Sequence, residues 1–424
     1  MRATLLLRSL ACAAILGGGT GVEAQSSSDG VNLDDIETIF AFGDSYSWNG
    51  YTPLLGVNNI PGYGLTTSGG YNWLQFLSQL GSTPITLYDL AASGATTNNS
   101  VISAPATDFV NQVGLWNDWF APGTGTYTSA GQVRWETNST LFTVWIGIND
   151  VGAPYDAQTD FPQQLSEIFS SYNAAVASLY AAGARNLLIL GVPPTWRTPL
   201  IQAYNDSRVG VYQDRVGQYN VGLTQLFNTF APSYPDASFR LYDTIPFFNT
   251  ILDRPADYGF TVTDRACAAY EAVTNQPEIN VPECGAPLSD FVWWNTYHPA
   301  WPVHELLASV IGGVLAAPDT TPATTLTSAQ GSLPTSASTA GGTAATSSSS
   351  SSSTTATAPT TDSASASETA SQGSASGSVG PSASASGGAG GSSAAGPSRP
   401  AGGRAGAAAL VVALGVASAL LAWT

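Results

Sequence analysis

"FAFGDSYSW", Phe40–Trp48, is the stretch that decides how this chain folds. An apolar run, Ile39 to Phe42, breaks at Gly43-Asp44-Ser45 and resumes with Tyr46 and Trp48. Gly, Asp and Ser are common turn residues for purely local reasons. Two readings therefore stand at this point: Ser45 is a nucleophile presented at a strand end, or it belongs to an ordinary polar turn after an edge strand. The segments that follow discriminate between them.

Strand-like and helix-like segments alternate from here on. Thr38–Phe42, Ile85–Ala91, Leu141–Ile146, Asn186–Val192 and Phe239–Tyr242 are apolar and rich in β-formers. Between them, Tyr71–Leu80, Leu165–Ala182 and Val209–Phe230 place apolar residues at helical spacing, and Pro299–Leu315 reads as a closing helix with prolines in its first turn. Continuous apolar strands separated by long amphipathic helices predict an α/β fold, a mainly parallel sheet covered on both faces. Active sites in such sheets lie at the carboxyl ends of the strands. Ser45 follows the first strand there, Gly94 the second and Asn149 the third.

Each of these positions also has an ordinary reading. "WIGINDVG" ends a strand as Asn-Asp pairs commonly do, yet its Asn149 amide would be a donor at the mouth of the sheet. Gly94 sits in a flexible βα loop, yet a residue with no Cβ lets a backbone N–H approach an anion. The whole chain has two histidines, and acyl transfer by a serine needs a base that titrates near neutrality. His298, in "WWNTYHPAWPVH", falls at a loop–helix junction; His304 falls inside the helix, where packing is the expected role.

Gly43-Asp44-Ser45, Gly94, Gly147-x-Asn149-Asp150 and a late His298-Pro299, in that order, resemble the GDSL (SGNH) hydrolases. The resemblance spans Thr38 to about Leu315, and Phe-Gly-Asp-Ser-Tyr with the Trp-rich late block looks most like the fungal carbohydrate esterase family 16 acetylesterases. It implies a three-layer, doubly wound, flavodoxin-like sandwich. It further implies Ser45 as nucleophile, His298 as base, and an oxyanion hole from the Ser45 and Gly94 N–H groups and the Asn149 side chain. No cofactor or metal is called for. The family usually has Asp three residues before the histidine; here that position is Asn295, which can hold a tautomer but cannot stabilise imidazolium as a carboxylate does. Asp290 is a candidate substitute acid.

The ends read as addresses. Residues 1–24 form a secretory signal peptide finishing at Val22-Glu23-Ala24. Residues 25–316 suffice for one large esterase domain. Residues 317–405 are almost all Ser, Thr, Ala, Gly and Pro, the composition of a disordered, O-glycosylated stalk. Residues 406–424 are small and apolar and follow Gly390-Gly391-Ser392-Ser393 and a spacer, the pattern of a GPI-attachment signal. A retained membrane helix is the rival reading. Secretion leaves Cys267 and Cys284 to pair, closing a loop of about 17 residues worth about 3 kcal/mol. Sequons stand at Asn98, Asn138 and Asn205.

The chain has 12 basic residues, all Arg, against 29 acidic ones, with an isoelectric point near 4.2. That balance argues against nucleic acid or anionic lipid as partners and fits solubility in acidic surroundings. The protein is expected at the outer cell surface or cell wall, monomeric, meeting the membrane only through the anchor. Trp48, Trp294 and Trp301 lie near the catalytic blocks and would stack on sugar rings, so an acetylated oligosaccharide or another small ester is the expected substrate. A GDSL lipase or phospholipase acting on longer acyl chains is the alternative. A weakly active, sugar-binding surface module is the reading from another class, supported by Asn295.

Overall fold

Five segments form a single parallel sheet, its central strands apolar on both faces: β1 (Thr38–Gly43), β2 (Thr86–Asp89), β3 (Thr140–Trp145), β4 (Asn186–Leu190) and β5 (Ser238–Tyr242), in the order β2-β1-β3-β4-β5. The computed structural model describes residues 30–62, 64–152, 160–204, 206–273 and 280–317. The chain divides into two units, Met1–Ser336 and Ala337–Thr424, and every described residue belongs to the first. The expected signal peptide, the stalk beyond Ala317, the C-terminal signal and the Asn205 sequon lie outside the described residues.

The pleat sorts the strand residues into two cores. Ile39, Ala41, Leu141, Leu188 and Leu190 pack on α1 (Trp73–Leu77) and on two later helices, α6 (Thr244–Asp253) and α7 (Trp301–Ala316). Phe40, Phe42, Phe142, Val144, Leu187, Ile189 and Phe239 pack on α2 (Phe109–Phe120), α4 (Phe161–Ala181) and α5 (Asp206–Ser233). Helices on both faces of a parallel sheet make the three-layer, doubly wound sandwich expected from the sequence.

Local chemistry sets the helix starts. Asn72 and Gln75 form a reciprocal capping box on α1, and Asp160 caps α4, whose first turn holds Pro162. Asp108 caps α2, accepting the Asn111 N–H at 2.7 Å. Pro302 occupies the first turn of α7, but Pro299 does not: it precedes the Ala300 cap and pairs in a bridge with Trp293. The chain runs from β1 outward to β2, then crosses to β3 on the other side of β1. Strand direction thus reverses its outward progress between β1 and β3, and a crevice at such a switch point is where this topology binds ligands. A short helix, α3 (Ile148–Gly152), begins directly after β3 at that crevice.

Candidate active site

β1 delivers Ser45 through a tight polar turn. The Asp44 carboxylate accepts the Tyr46 N–H at 3.0 Å, and its carbonyl accepts the N–H groups of Ser47 at 3.1 Å and Trp48 at 2.9 Å. The strand end beneath it is clamped by Gln112 of α2, which accepts the Gly43 N–H at 2.9 Å and donates to the Gly43 carbonyl at 2.8 Å. Thr67 Oγ1 donates to the Ser45 carbonyl at 2.6 Å. The nucleophile's backbone is therefore held from three directions.

His298 arrives on a loop closed like a hairpin. Trp294 N–H donates to the His298 carbonyl at 2.9 Å, and Ala300 N–H to the Val292 carbonyl at 2.8 Å. Asn295 Oδ1 accepts the Tyr297 N–H at 2.9 Å and the His298 N–H at 2.8 Å, so the amide oxygen, not its nitrogen, faces the loop interior. The same oxygen lies 3.0 Å from His298 Nδ1, and His298 Nε2 lies 2.8 Å from Ser45 Oγ. An amide oxygen accepts only, so the ring proton sits on Nδ1 and Nε2 is free to take the Ser45 proton. Tyr46 OH donates to the Tyr297 carbonyl at 2.5 Å and ties the serine turn to the histidine loop.

The third and fourth blocks close the crevice. Gly147 has φ of 125°, and a Cβ there would meet the Tyr219 ring at 2.4 Å, so only glycine turns the chain from β3 into α3. Asp150 then accepts the Thr97 N–H on both carboxyl oxygens, at 3.1 and 3.0 Å, and Asn149 Nδ2 donates to the Ala95 carbonyl at 2.8 Å. These bonds lock the loop that carries Gly94, whose φ is 83°. Among the described residues, neither the Ser45 nor the Gly94 N–H has a protein acceptor, and the Asn149 amide keeps one N–H to spare. Three donors on the loops after β1, β2 and β3 are what a developing oxyanion requires.

Burial shifts the ionisable groups here. It pulls His298 down from 6.5 to about 4, and it pushes Asp44 up to about 8 and Asp150 to about 7 against the N–H bonds that favour their charged forms. Among the described residues, no group of three or more His, Cys, Asp or Glu side chains could hold a metal ion.

Residues 39–311 match the family model for GDSL-like lipases and acylhydrolases. The chain belongs to that family. Its curated relatives include an acetylesterase of Thermothelomyces thermophilus, 31% identical over 65% of this chain and 88% of the relative, and one of Hypocrea jecorina, 24% identical over 66% and 87%. Among solved structures, an acetylxylan esterase from Geobacillus stearothermophilus shares 15% identity over 66% of this chain and 94% of its own, with a TM-score of 0.35. By its family this GDSL-like acylhydrolase is a carboxylic ester hydrolase, similar to fungal acetylesterases.

One sequence expectation changes in this GDSL enzyme. Asp290 does not face His298: its carboxyl accepts from Ser289 Oγ at 3.1 Å and lies 3.5 Å from Thr261 Oγ1, while its carbonyl takes the Thr261 and Val262 N–H groups. Among the described tryptophans, Trp73, Trp116, Trp145 and Trp293 are fully buried in the core, whereas Trp48, Trp294 and Trp301, the ones expected near the site, are half-buried. His304 packs as expected, its Nδ1 accepting the Trp73 N–H at 3.2 Å. Cys267 and Cys284 form a disulfide. Asn138 is exposed; Asn98 is half-buried, with its amide donating to Ser171 Oγ at 2.8 Å. Gln112, Thr67 and Tyr46 escape a motif reading because their partners are backbone atoms 22 to 251 residues away in sequence.

Proposed function

We propose that this chain is a short-chain esterase that removes acetyl groups from acetylated oligosaccharides. The carrying observation is the continuous relay from Ser45 Oγ to His298 Nε2 at 2.8 Å and from His298 Nδ1 to Asn295 at 3.0 Å. Ser45 Oγ attacks the ester carbonyl while Nε2 takes its proton. The Ser45 and Gly94 N–H groups and the Asn149 amide receive the oxyanion. Nε2 then protonates the departing sugar hydroxyl, leaving acetyl-Ser45. In the second half, His298 draws a proton from water, the hydroxide attacks the acyl carbonyl, and acetate leaves as Ser45 regains its proton.

Acetyl specificity is supported by the relatives named acetylesterases, and a sugar alcohol by the half-buried Trp48 and Trp294 on loops beside Ser45 and His298 and Trp301 at the start of α7. The intact relay weighs against a binding module, which has no use for it. One observation favours the lipase reading: Leu54, Leu55, Ile60 and Leu65 follow the serine turn and are 72, 62, 46 and 51% exposed, a surface that suits longer acyl chains. Hydrolysis of nitrophenyl acetate, butyrate and octanoate, with acetylated xylo-oligosaccharides in parallel, separates the two. Rates falling from acetate to octanoate support the acetylesterase; rates rising with chain length support the lipase. The secretory and GPI-like sequence patterns support a position on the outer cell surface; release by a phosphatidylinositol-specific phospholipase tests this, and mature protein retaining residues 410–423 refutes it.

A further inference from the structure

His298 rides on a loop, and a loop must be tied down if its imidazole is to meet Ser45 Oγ at 2.8 Å. Asn295 Oδ1 supplies one tie, accepting the Tyr297 and His298 N–H groups and lying 3.0 Å from His298 Nδ1. A neutral amide oxygen holds Nδ1–H less firmly than a carboxylate would. A second tie comes from the residue that follows the nucleophile. Tyr46 OH donates to the Tyr297 carbonyl at 2.5 Å, and the N–H of that same peptide group, that of His298, donates to Asn295 Oδ1 at 2.8 Å. The peptide is planar, so gripping both ends fixes the direction in which the His298 side chain leaves the backbone.

Tyr46 is a well-fixed post for this purpose. Its N–H donates to the Asp44 carboxylate at 3.0 Å, and its ring, 1% exposed, stands edge-on to Trp145 of β3 at 5.4 Å. Burial raises its pKa, so the hydroxyl keeps the proton it donates. The same ring lies 5.5 Å from the imidazole, and the Tyr297 and Trp294 rings stand across the imidazole at 5.7 and 6.5 Å. The imidazole is walled by three aromatic rings while its Nε2 edge meets Ser45.

We infer that Tyr46 is a positioning residue: covalently next to Ser45 and hydrogen-bonded to the Tyr297 carbonyl, it sets the Ser45–His298 separation where Asn295 holds the base without a charge. One side chain thus registers two segments that lie 251 residues apart in sequence. The hydroxyl does not touch the reacting atoms. Its effect passes through the Tyr297–His298 peptide, so it should appear in the chemical step and not in substrate binding.

This inference rests on Ser45 and His298 as the reacting pair, but not on the acyl preference. The test uses the rate at which a fluorophosphonate labels Ser45, which needs no natural substrate, together with kcat and KM on nitrophenyl acetate. Tyr46→Phe keeps the ring and removes only the hydroxyl. It should slow labelling and kcat about tenfold with KM unchanged, short of the roughly 10²-fold that a 1 Å misplacement of reacting groups can cost. The same substitution is then made in an Asn295→Asp background. There a charge-assisted bond, roughly twice as strong as a neutral one, holds Nδ1–H, so the loss should shrink to about threefold. A hydroxyl that merely stabilises the serine turn would cost the same factor in both backgrounds, whatever it does to Tm. Unchanged labelling in Tyr46→Phe, a change confined to KM, or an equal or larger loss in the Asn295→Asp background overturns the inference. A wild-type enzyme that fails to label at Ser45 overturns the reading of the site itself.

Discussion

At the scale of single residues, the site separates reaction from positioning. Ser45→Ala removes only the reacting oxygen, so ester hydrolysis should fall to background with Tm unchanged, and fluorophosphonate labelling of that peptide should vanish. Asn149→Ala removes one oxyanion donor, which commonly costs about 10²–10³ in kcat. Asn149 also donates to the Ala95 carbonyl, so a loss confined to KM would instead mark it as a loop anchor. The pH dependence follows from His298. Burial lowers its pKa to about 4, so the neutral base persists into acid and kcat/KM should decline only as pH falls through about 4. Asn295→Asp places a carboxylate 3.0 Å from Nδ1, favours imidazolium, and should move that limb upward while raising turnover near neutrality. An acidic limb near 6.5 in the wild type, or one that Asn295→Asp leaves in place, contradicts this account.

At the scale of elements, the site is only as exact as the strand ends beneath it. Gln112 of α2 satisfies both polar groups of Gly43 inside the core. Gln112→Leu keeps the bulk and strands a buried N–H and a buried carbonyl, which should cost about 2–4 kcal/mol and lower Tm by about 5–10 °C. Thermal unfolding checks the first effect, and Ser45 labelling in the folded variant should also slow. Such clamps mark the limit of what the sequence discloses. β1, β3 and β4 are legible because apolar runs buried on both faces have few other uses, and α4 and α5 because their apolar stripes are long. Helix α2 is missing from the segments read as helical in the sequence, although Asp108 precedes Phe109, Val113, Trp116 and Phe120, a cap followed by one helical face. Ser45, Gly94, Asn149 and His298 sit where strand ends and loop junctions foretell them. The partners of Gln112 and Tyr46 are set by the tertiary fold, and no local pattern encodes a side chain that bonds to a distant carbonyl or N–H group.

At the scale of the whole molecule, the buried ionisable groups make stability a function of pH in a direction the composition already hints at. Three core carboxyls, Asp44, Asp89 and Asp150, are raised by burial, Asp44 to about 8 and Asp150 to about 7. A carboxyl whose folded pKa exceeds its unfolded value keeps a proton that the unfolded chain gives up. Its contribution is complete below about 3.8 and is lost as pH rises through the folded pKa. His298 and His304 act oppositely: their folded pKa values, about 4 and about 3, lie below 6.5, so their contribution is complete above 6.5 and is lost as pH falls through those values. Between about 4 and 6.5 the two sets oppose one another, and stability should change little. From about 6.5 to 8 only the carboxyls act, and the growing negative charge of a chain that reaches −17 at pH 7 adds self-repulsion. Tm should therefore hold roughly level through the acid range and fall between pH 6.5 and 8. Asp44→Asn keeps an acceptor for the Tyr46 N–H and removes one titrating group, so it should flatten that fall without changing its sign. A Tm that climbs from pH 6.5 to 8 would show that these carboxyls are ionised in the folded state, with their N–H bonds outweighing burial. The expected profile matches the catalytic one: a base that stays neutral down to about pH 4 is useful only on a scaffold that keeps its fold there.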